Sequence, residues 1–225
     1  MTHLRGTLAR AAWLFLCLGM LAPAAQATRI VIIDADSGDP LENAVVEIQT
    51  GTAEPTQSAE VMQRDAAFHP HVSVIPTGSA VSFPNRDTTR HHVYSFSPAK
   101  VFDLELYLQE TPPPVHFDRP GVVVLGCNIH DQMQAFIVVS DALHVAVTAD
   151  DGVAEFVGLP AGSHDVRVWH PQLSDTHQQW WEGSVAFGQS LTVSLSLEGT
   201  PPPPETLSPL QQRFRDAAQQ HAEQN

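Results

Sequence analysis

The sequence has little cysteine, few basic residues and no long hydrophobic run, and each shortage excludes a class of protein. Lys and Arg together number 11 against 25 Asp and Glu, which gives a formal net charge of −14. Nucleic acids and anionic membrane surfaces bind clusters of basic side chains, so neither is an expected partner. Charged residues make up only 16% of the chain, and 18 prolines and 13 glycines interrupt it. This composition disfavours a coiled coil and favours short strands joined by turns.

The first 27 residues have the features of an export signal. Arg5 and Arg10 provide a positive start, residues 11–22 form an apolar run, and residues 25–27 (Ala-Gln-Ala) form a small-x-small cleavage site. The apolar run is too short to span a bilayer comfortably. We therefore predict cleavage after residue 27 and a periplasmic product with no stable membrane span.

Cysteine is confined to two positions, Cys17 and Cys127. Because Cys17 lies in the predicted signal, Cys127 is the one thiol expected in the exported chain, which then has no internal disulfide. A bare thiol in an oxidising compartment is prone to oxidation. Cys127 is therefore expected either to be buried and inert or to be bound by a metal.

The rest of the chain carries the pattern of short strands and no long helical period. Residues 101–109 are ambiguous, but the alternation of Phe102, Leu104, Leu106 and Leu108 favours a strand. The predicted fold class is all-β, a sandwich or a barrel. Residues 51–60 are polar and predict a loop or linker. The predicted strands cover residues 29–34, 44–49, 71–75, 80–83, 92–96, 101–109, 115–117, 122–125, 135–139, 144–148, 154–157, 164–170, 184–187 and 191–197.

Residues with metal-binding side chains concentrate in segments 83–96 and 126–133. Cys127, His130 and Met133 stand three residues apart in one short loop between predicted strands. An imidazole from the upstream pair at 91 and 92 would complete a set of two imidazoles, one thiolate and one weak thioether. This is the ligand set of a blue-copper electron-transfer site, because soft sulfur suits Cu(I) and imidazole suits both oxidation states.

Two of these segments resemble the cupredoxin family. Residues 81–91 (VSFPNRDTTRH) are similar to the family's segment with the first histidine, and residues 121–133 (GVVVLGCNIHDQM) are similar to its C-terminal ligand loop. The C-x-x-H-x-x-M spacing is similar to that of amicyanin rather than plastocyanin, and the chain as a whole resembles amicyanin-like proteins labelled methylamine utilisation proteins. The resemblance implies a Greek-key β-sandwich over roughly residues 60–140 that holds one copper ion, Cu(I)/Cu(II). The implied ligands are His91, Cys127, His130 and Met133.

One position departs from the family pattern. Asn85 precedes His91 by the family's spacing, but His92 stands where cupredoxins usually have Asn. The backbone N–H of His92 can still donate to the cysteine sulfur, and we expect its side chain to pair with Asn128 or to face solvent. His92 could instead be the ligand with His91 pointing outward, since strand alternation forbids both from pointing the same way.

The flanking segments carry a second resemblance. Residues 148–168 and 32–46 are similar to a carboxypeptidase regulatory-like or transthyretin-like β-sandwich. We hypothesise that the cupredoxin is inserted into this split sandwich, with residues 29–50 paired against 143–198. The predicted organisation is a signal peptide at 1–27, N-terminal strands at 28–56, a cupredoxin domain at 57–140, the second sandwich at 141–200, and a Pro-rich linker and tail at 201–225.

The function expected from these features is single-electron transfer between periplasmic redox proteins, without enzymatic chemistry. By resemblance, His130 is the more exposed ligand and the electron port, with Ile129 and Pro84 in an apolar docking patch around it. The abundant acidic residues would steer a basic partner.

Other functions remain open from the sequence. The site could belong to a copper carrier or chaperone, or to a non-redox interaction module. Zinc bound by two histidines, Cys127 and Asp131 is a competing metal site. Cys127 with His130 could form a nucleophile pair. His69, His71 and His116 could form a second metal site, although scattered surface histidines are the simpler interpretation.

Overall fold

The computed structural model describes residues 27–55, 59–130 and 132–198, and this part of the chain is all-β, with seventeen strands and no helix. It therefore holds no helix that is long and apolar enough to cross a membrane. The predicted signal peptide lies outside the described residues except for its last residue, Ala27, which begins β1. The Pro-rich tail at 201–225 also lies outside them.

The first sandwich is built from β3 to β12. Its larger sheet has the strand order β6-β12-β11-β8-β9, its smaller sheet has the order β10-β7-β3, and β4 pairs with β5 beside them. The strands are β3 (Ala59–Glu60), β4 (Met62–Arg64), β5 (Ala67–His69), β6 (Val72–Pro76), β7 (Ser79–Ser82), β8 (His91–Ser97), β9 (Lys100–Tyr107), β10 (Val115–Phe117), β11 (Gly121–Gly126) and β12 (Gln134–Ser140).

The second sandwich combines the first two strands with the last five. One sheet has the order β13-β2-β15-β16 and the other β14-β1-β17, so β1 lies between strands from the far end of the chain. Ile30 to Ile33 align in parallel with residues 191–194 of β17. The strands are β1 (Ala27–Asp34), β2 (Val45–Thr52), β13 (Ala142–Val147), β14 (Val153–Val157), β15 (Ser163–Trp169), β16 (Trp181–Ala186) and β17 (Ser190–Leu195). This is the strand pairing that the insertion hypothesis requires; the domain boundaries themselves remain a prediction.

Strand β12 is buried on both faces, which explains its unbroken apolar sequence. Ala135, Ile137 and Val139 belong to the core of the first sandwich, whereas Phe136 and Val138 point the other way. The alternation follows from the two-residue period of a strand.

A third cluster joins the two sandwiches. Phe136 and Val138 pack there with Val45 of β2 and with Trp169 of β15, whose ring lies 5.4 Å from that of Phe136 in an edge-to-face arrangement. Burial of such large side chains stabilises a fold by about 1.5–3 kcal/mol each. The junction is therefore a packed interface rather than a loose tether.

The expected loop at 51–60 is shorter in the structure. Gly51 and Thr52 extend β2, and Ala59 and Glu60 form β3. Strands β4 and β5 were also missed, because strands of three residues are too short to show an alternating pattern. The ambiguous segment 101–109 forms a strand, β9, over Lys100–Tyr107.

Candidate metal centre

Three predicted ligands meet at one end of the first sandwich. The ligand atoms of His91, Cys127 and His130 all lie within 4.8 Å of one another. The His130 Nδ1 atom is 3.8 Å from the Cys127 sulfur, and the two imidazole ring centres are 4.9 Å apart. His91 and Cys127 are buried, while His130 is partly exposed. The arrangement assigns His91, not His92, to the group.

Sheet topology explains why residues so distant in sequence converge. Strands β8 and β11 are antiparallel neighbours, with Gly126 opposite Tyr94, so the end of β11 lies beside the beginning of β8. Cys127 directly follows β11, and His91 begins β8. The loop then reverses into β12, because the N–H of Met133 donates to the carbonyl of His130 over 2.9 Å.

Met133 ends this loop and is buried in the same core cluster as Cys127. Both residues also line a cleft of about 760 Å³. Met133 thus shares a core cluster and a cleft with Cys127, and its role as the fourth ligand remains a prediction. Asp131, the donor considered for a zinc site, lies outside the described residues.

The surroundings of His91 favour a metal on its Nδ1 atom. Its Nε2 atom lies 2.6 Å from the Asp87 carboxylate. Its Nδ1 atom is buried and has no hydrogen-bond partner. A buried polar atom left unpaired costs about 1–3 kcal/mol. A metal ion on Nδ1 would remove that cost. His91 is also the residue that lies in one group with Cys127 and His130.

Asp87 is itself anchored by the turn between β4 and β5. Its carboxylate accepts hydrogen bonds from the N–H groups of Asp65 at 2.7 Å and of Ala66 at 3.0 Å. Burial by itself raises the Asp87 pKa. The hydrogen bonds from Ala66, His91 and Asp65 together lower it by more, so the Asp87 pKa lies below its usual value. Asp87 is therefore a carboxylate anion at neutral pH.

Asn85 shapes the loop that leads to His91. Its side-chain amide donates to the carbonyls of Thr89 at 2.9 Å and Tyr107 at 2.8 Å, and its oxygen accepts from the N–H of Asp87 at 2.9 Å. It is buried. Asn85 thus ties the loop to β9 and places Asp87 under the imidazole.

The prediction for the side chain of His92 was wrong. His92 is buried, and its Nε2 atom lies 2.6 Å from the Asp103 carboxylate on β9 rather than pairing with Asn128 or facing solvent. Tyr94 is aligned with Asp103 in the β8–β9 ladder. His92 lies two residues before Tyr94 on the same face of β8, so its side chain reaches diagonally to the Asp103 carboxylate. Asn128 is exposed and lines the same cavity of about 390 Å³ as His92.

A buried hydrogen-bond network close to Cys127 was not anticipated from the sequence. The Tyr107 hydroxyl donates to the Phe83 carbonyl over 2.6 Å, and the Gln63 side chain donates to both that carbonyl and the Tyr107 oxygen. Burial, opposed by the Gln63 hydrogen bond and assisted by the Cys127 charge, raises the pKa of Tyr107 to about 12. The phenol therefore stays protonated, and its role is to hold the core together.

The remaining candidates differ in outcome. Within the described ranges, His91, Cys127 and His130 are the only group of His, Cys, Asp and Glu side chains close enough to hold a metal, so His69, His71 and His116 form no second site. Ile129 is 47% exposed, as a docking residue should be, but Pro84 is buried and the prediction for it was wrong.

No family model and no curated protein matches the chain. Among solved structures, a proline-to-glycine variant of amicyanin in its reduced Cu(I) form at pH 4 is 16% identical, with 42% of this chain and 98% of that chain covered and a TM-score of 0.34. A copper-containing nitrite reductase from Thermus scotoductus is 24% identical, with 51% of this chain and 28% of that chain covered and a TM-score of 0.36. Matches of this size are partial likenesses of fold and carry no argument about function.

Proposed function

We propose that this chain is a type 1 copper protein of cupredoxin type, in which residues 57–140 bind one copper ion and carry single electrons between redox proteins. The observation that supports the proposal best is the convergence of His91, Cys127 and His130 around an imidazole nitrogen that has no partner in the protein. Together with Met133 they form the donor set that selects copper. The bound ion would supply the Cu(I)/Cu(II) couple.

The placement of the donors suits electron transfer better than transport of the ion. His91, Cys127 and Met133 are all buried, and the loop from Cys127 to Met133 is fastened at both ends by strands β11 and β12. A rigid donor set does not rearrange when the charge of the ion changes. A cargo site, in contrast, has to open to release its ion.

His130 offers the route for the electron. It is the one partly exposed member of the group, and its neighbour Ile129 is 47% exposed. An apolar contact at this end would bring a partner's redox centre close to the imidazole edge. No bond-forming chemistry is proposed, and periplasmic location follows from the predicted signal at 1–27. The methylamine utilisation label implied by resemblance remains a prediction.

The proposal is tested by adding Cu(II) to the purified chain and recording visible and electron paramagnetic resonance spectra. We expect an intense visible band that bleaches on reduction and returns on oxidation. Cys127→Ser should abolish the band, since the thiolate is its source. Stoichiometric zinc with no copper band would contradict the proposal, and loss of copper at each reduction would favour a carrier.

Met133→Leu provides a control within the same loop. The change conserves apolar volume and should cost less than about 1.5 kcal/mol of unfolding free energy. If the thioether is a ligand, the visible and paramagnetic spectra and the reduction potential change while the chain stays folded. Identical spectra would show that Met133 is only part of the core.

A further inference from the structure

The larger sheet of the first sandwich has an uncovered apolar area on its outer face, where β8 lies beside β9. Phe96 is 75% exposed, and Val101, its cross-strand partner, is 63% exposed. The Tyr94 ring lies 5.3 Å from the Phe96 ring. These three side chains form one apolar surface, here called the β8–β9 patch. Large apolar side chains that are exposed together mark a surface at which something binds.

The patch continues a face that the second sandwich already covers in part. Val124 of β11 is partly buried against the junction cluster around Trp169. Val124 and Phe96 both line the cleft of about 760 Å³, and Thr176 and Gln178 of the second sandwich line it as well. The packed interface between the sandwiches therefore ends at this cleft, and the β8–β9 patch lies beyond it.

The described part of the chain ends beside the same cleft. The N–H of Glu198 donates to the Gln172 carbonyl over 2.8 Å, and the Glu198 carboxylate accepts the N–H of Asp175 over 2.6 Å. Asp175 directly precedes Thr176, one of the residues that line the cleft. Residues 199–225 therefore leave the second sandwich next to a wall of the cleft.

These last residues contain a segment whose sequence suits the patch. Residues 208–218 begin with Ser208 and Pro209, which is the pattern of a helix start. Leu210, Phe214 and Ala217 follow at intervals of four and three residues, so a helix would place them on one face. The segment thus offers a narrow apolar face to a narrow apolar surface.

The chain is long enough to bring this segment to the patch. Leu210 stands twelve residues after Glu198. An extended chain of that length spans up to about 40 Å. Strand β8 has seven residues and is about 23 Å long. The connection therefore exceeds the strand that it has to pass.

Charge favours this occupant over a second copy of the chain. Asp103 and Glu105 of β9 are exposed beside the patch. Residues 208–218 contain Arg213 and Arg215 against a single acid, Asp216, although the chain as a whole has a net charge of −14. A second copy that used the same surface would bring its own two carboxylates against these, and like charges repel.

We propose that residues 208–218 bind the β8–β9 patch of their own chain as a short amphipathic helix. Leu210 and Phe214 cover Phe96 and Val101. The two arginines of the segment lie towards the acidic side chains of β9.

The bound segment would also change access to the candidate metal centre. Cys127 and Met133 line the cleft next to the patch, whereas His130 does not. Residues 208–218 would therefore exclude water and other proteins from the cysteine side and leave the His130 end open. The contact itself requires no bound metal, so it is tested independently of the proposed function.

The first test is hydrogen–deuterium exchange of the purified full chain, in which mass spectrometry follows the amides of residues 208–218. We expect them to exchange at least about 10-fold more slowly than in a synthetic peptide of the same sequence. Phe96→Ser and Phe214→Ser should each remove this protection, and circular dichroism establishes that both variants are folded. Peptide-like rates in the wild-type chain would overturn the proposal without any variant, and protection that survives Phe96→Ser would also overturn it.

Val101 and Val157 provide a matched pair of variants. Val157 of β14 is 64% exposed, against 63% for Val101, but it belongs to the second sandwich. Val101→Thr should speed the exchange of residues 208–218 by about 4-fold, because a methyl group in the contact is replaced by a hydroxyl. Val157→Thr should leave it unchanged. Equal effects of the two variants would refute the assignment of the patch.

Sedimentation velocity over a range of concentrations identifies other occupants. We expect a monomer at the concentrations at which residues 208–218 are protected. A dimer that Phe96→Ser dissociates would assign the patch to a second copy and overturn the proposal. A monomer in which residues 208–218 exchange like the peptide would overturn it as well and leave the patch to a separate protein.

Discussion

The buried polar side chains Thr148 and His91, one in each sandwich, differ in whether the protein satisfies their hydrogen bonds. In the second sandwich, Thr148 is buried with its hydroxyl donating to the Leu41 carbonyl and accepting from the N–H of Ala44. In the first, His91 is buried with one nitrogen left unpaired. The first kind of burial closes a turn and is complete within the protein. The second leaves an imidazole nitrogen that a bound metal would satisfy, because His91 groups with Cys127 and His130. The second sandwich also buries two unpartnered oxygens, Glu47 Oε1 and Thr50 Oγ1, but neither residue belongs to a group of metal-binding side chains among the described residues.

A substitution at the junction between the sandwiches is expected to cause the largest loss of stability. Trp169→Ala should lower the free energy of unfolding by about 3–5 kcal/mol, because it empties the centre of the shared cluster and deletes the indole hydrogen bond to the His177 carbonyl. Urea unfolding measures this loss. The copper spectrum should be unchanged, since Trp169 belongs to the junction cluster and not to the group of His91, Cys127 and His130.

Trp180→Ala is the matched control for this substitution. Trp180 is only partly buried against the same cluster, and its ring lies under Arg167 at 4.6 Å. We expect a clearly smaller loss of stability. Equal losses in the two variants would show that the junction is not the tight interface described above.

Gly126→Ala sharpens the comparison at the metal end. A Cβ atom at residue 126 would lie 2.8 Å from the Tyr94 ring, so the ring or the strand has to move. We expect a loss of about 1–3 kcal/mol of unfolding free energy and a shifted copper band, because Cys127 is the next residue.

Gly51→Ala is the corresponding change in the second sandwich. The added Cβ would make ordinary contact with Leu143 at 3.5 Å. Reduced freedom of the unfolded chain should then make the variant neutral or more stable by about 0.4–1 kcal/mol. If thermal unfolding gives the same loss for both glycines, the crowding at Gly126 is not the cause.

His170 should make the stability of the second sandwich sensitive to acid. We expect a smaller change in unfolding free energy than at Trp169 or Gly126. Burial lowers the His170 pKa, although its hydrogen bond to the Glu42 carbonyl acts in the opposite direction. The unfolded chain therefore takes up a proton more readily than the folded one. The stability contributed by neutral His170 is present above a pH of about 6.5 and is lost as the pH falls through the lower folded-state pKa.

Unfolding free energies measured from about pH 7 to about pH 5 test this expectation. The decline should be steeper in the wild type than in His170→Gln, which keeps a donor for the Glu42 carbonyl. Parallel curves would show that His170 is not the source of the acid sensitivity.

Local sequence patterns predicted most of the strands, because a short apolar or alternating run marks a strand. The ligand set stays a prediction, of which the structure brings His91, Cys127 and His130 together. Residues 135–139 form one unbroken apolar run of strand length, and Cys127 and His130 share one short loop. Asp87 and Asp103 were missed as partners of the two histidines. Their contacts depend on the β4–β5 turn and on an irregular register between His91 and Val93, where β8 and β9 fall out of step. Such contacts form only when distant strands pack together, so the spacing of residues along the sequence does not predict them.

The pairing of β1 with β14 and β17 also constrains the order in which the chain can fold. During synthesis or export, the first strand emerges long before its partners at residues 153–157 and 190–195 exist. Its backbone groups have no native ladder until nearly the whole molecule has been delivered. The first sandwich is formed by consecutive strands, β3 to β12. It can therefore fold before the second sandwich has all of its strands.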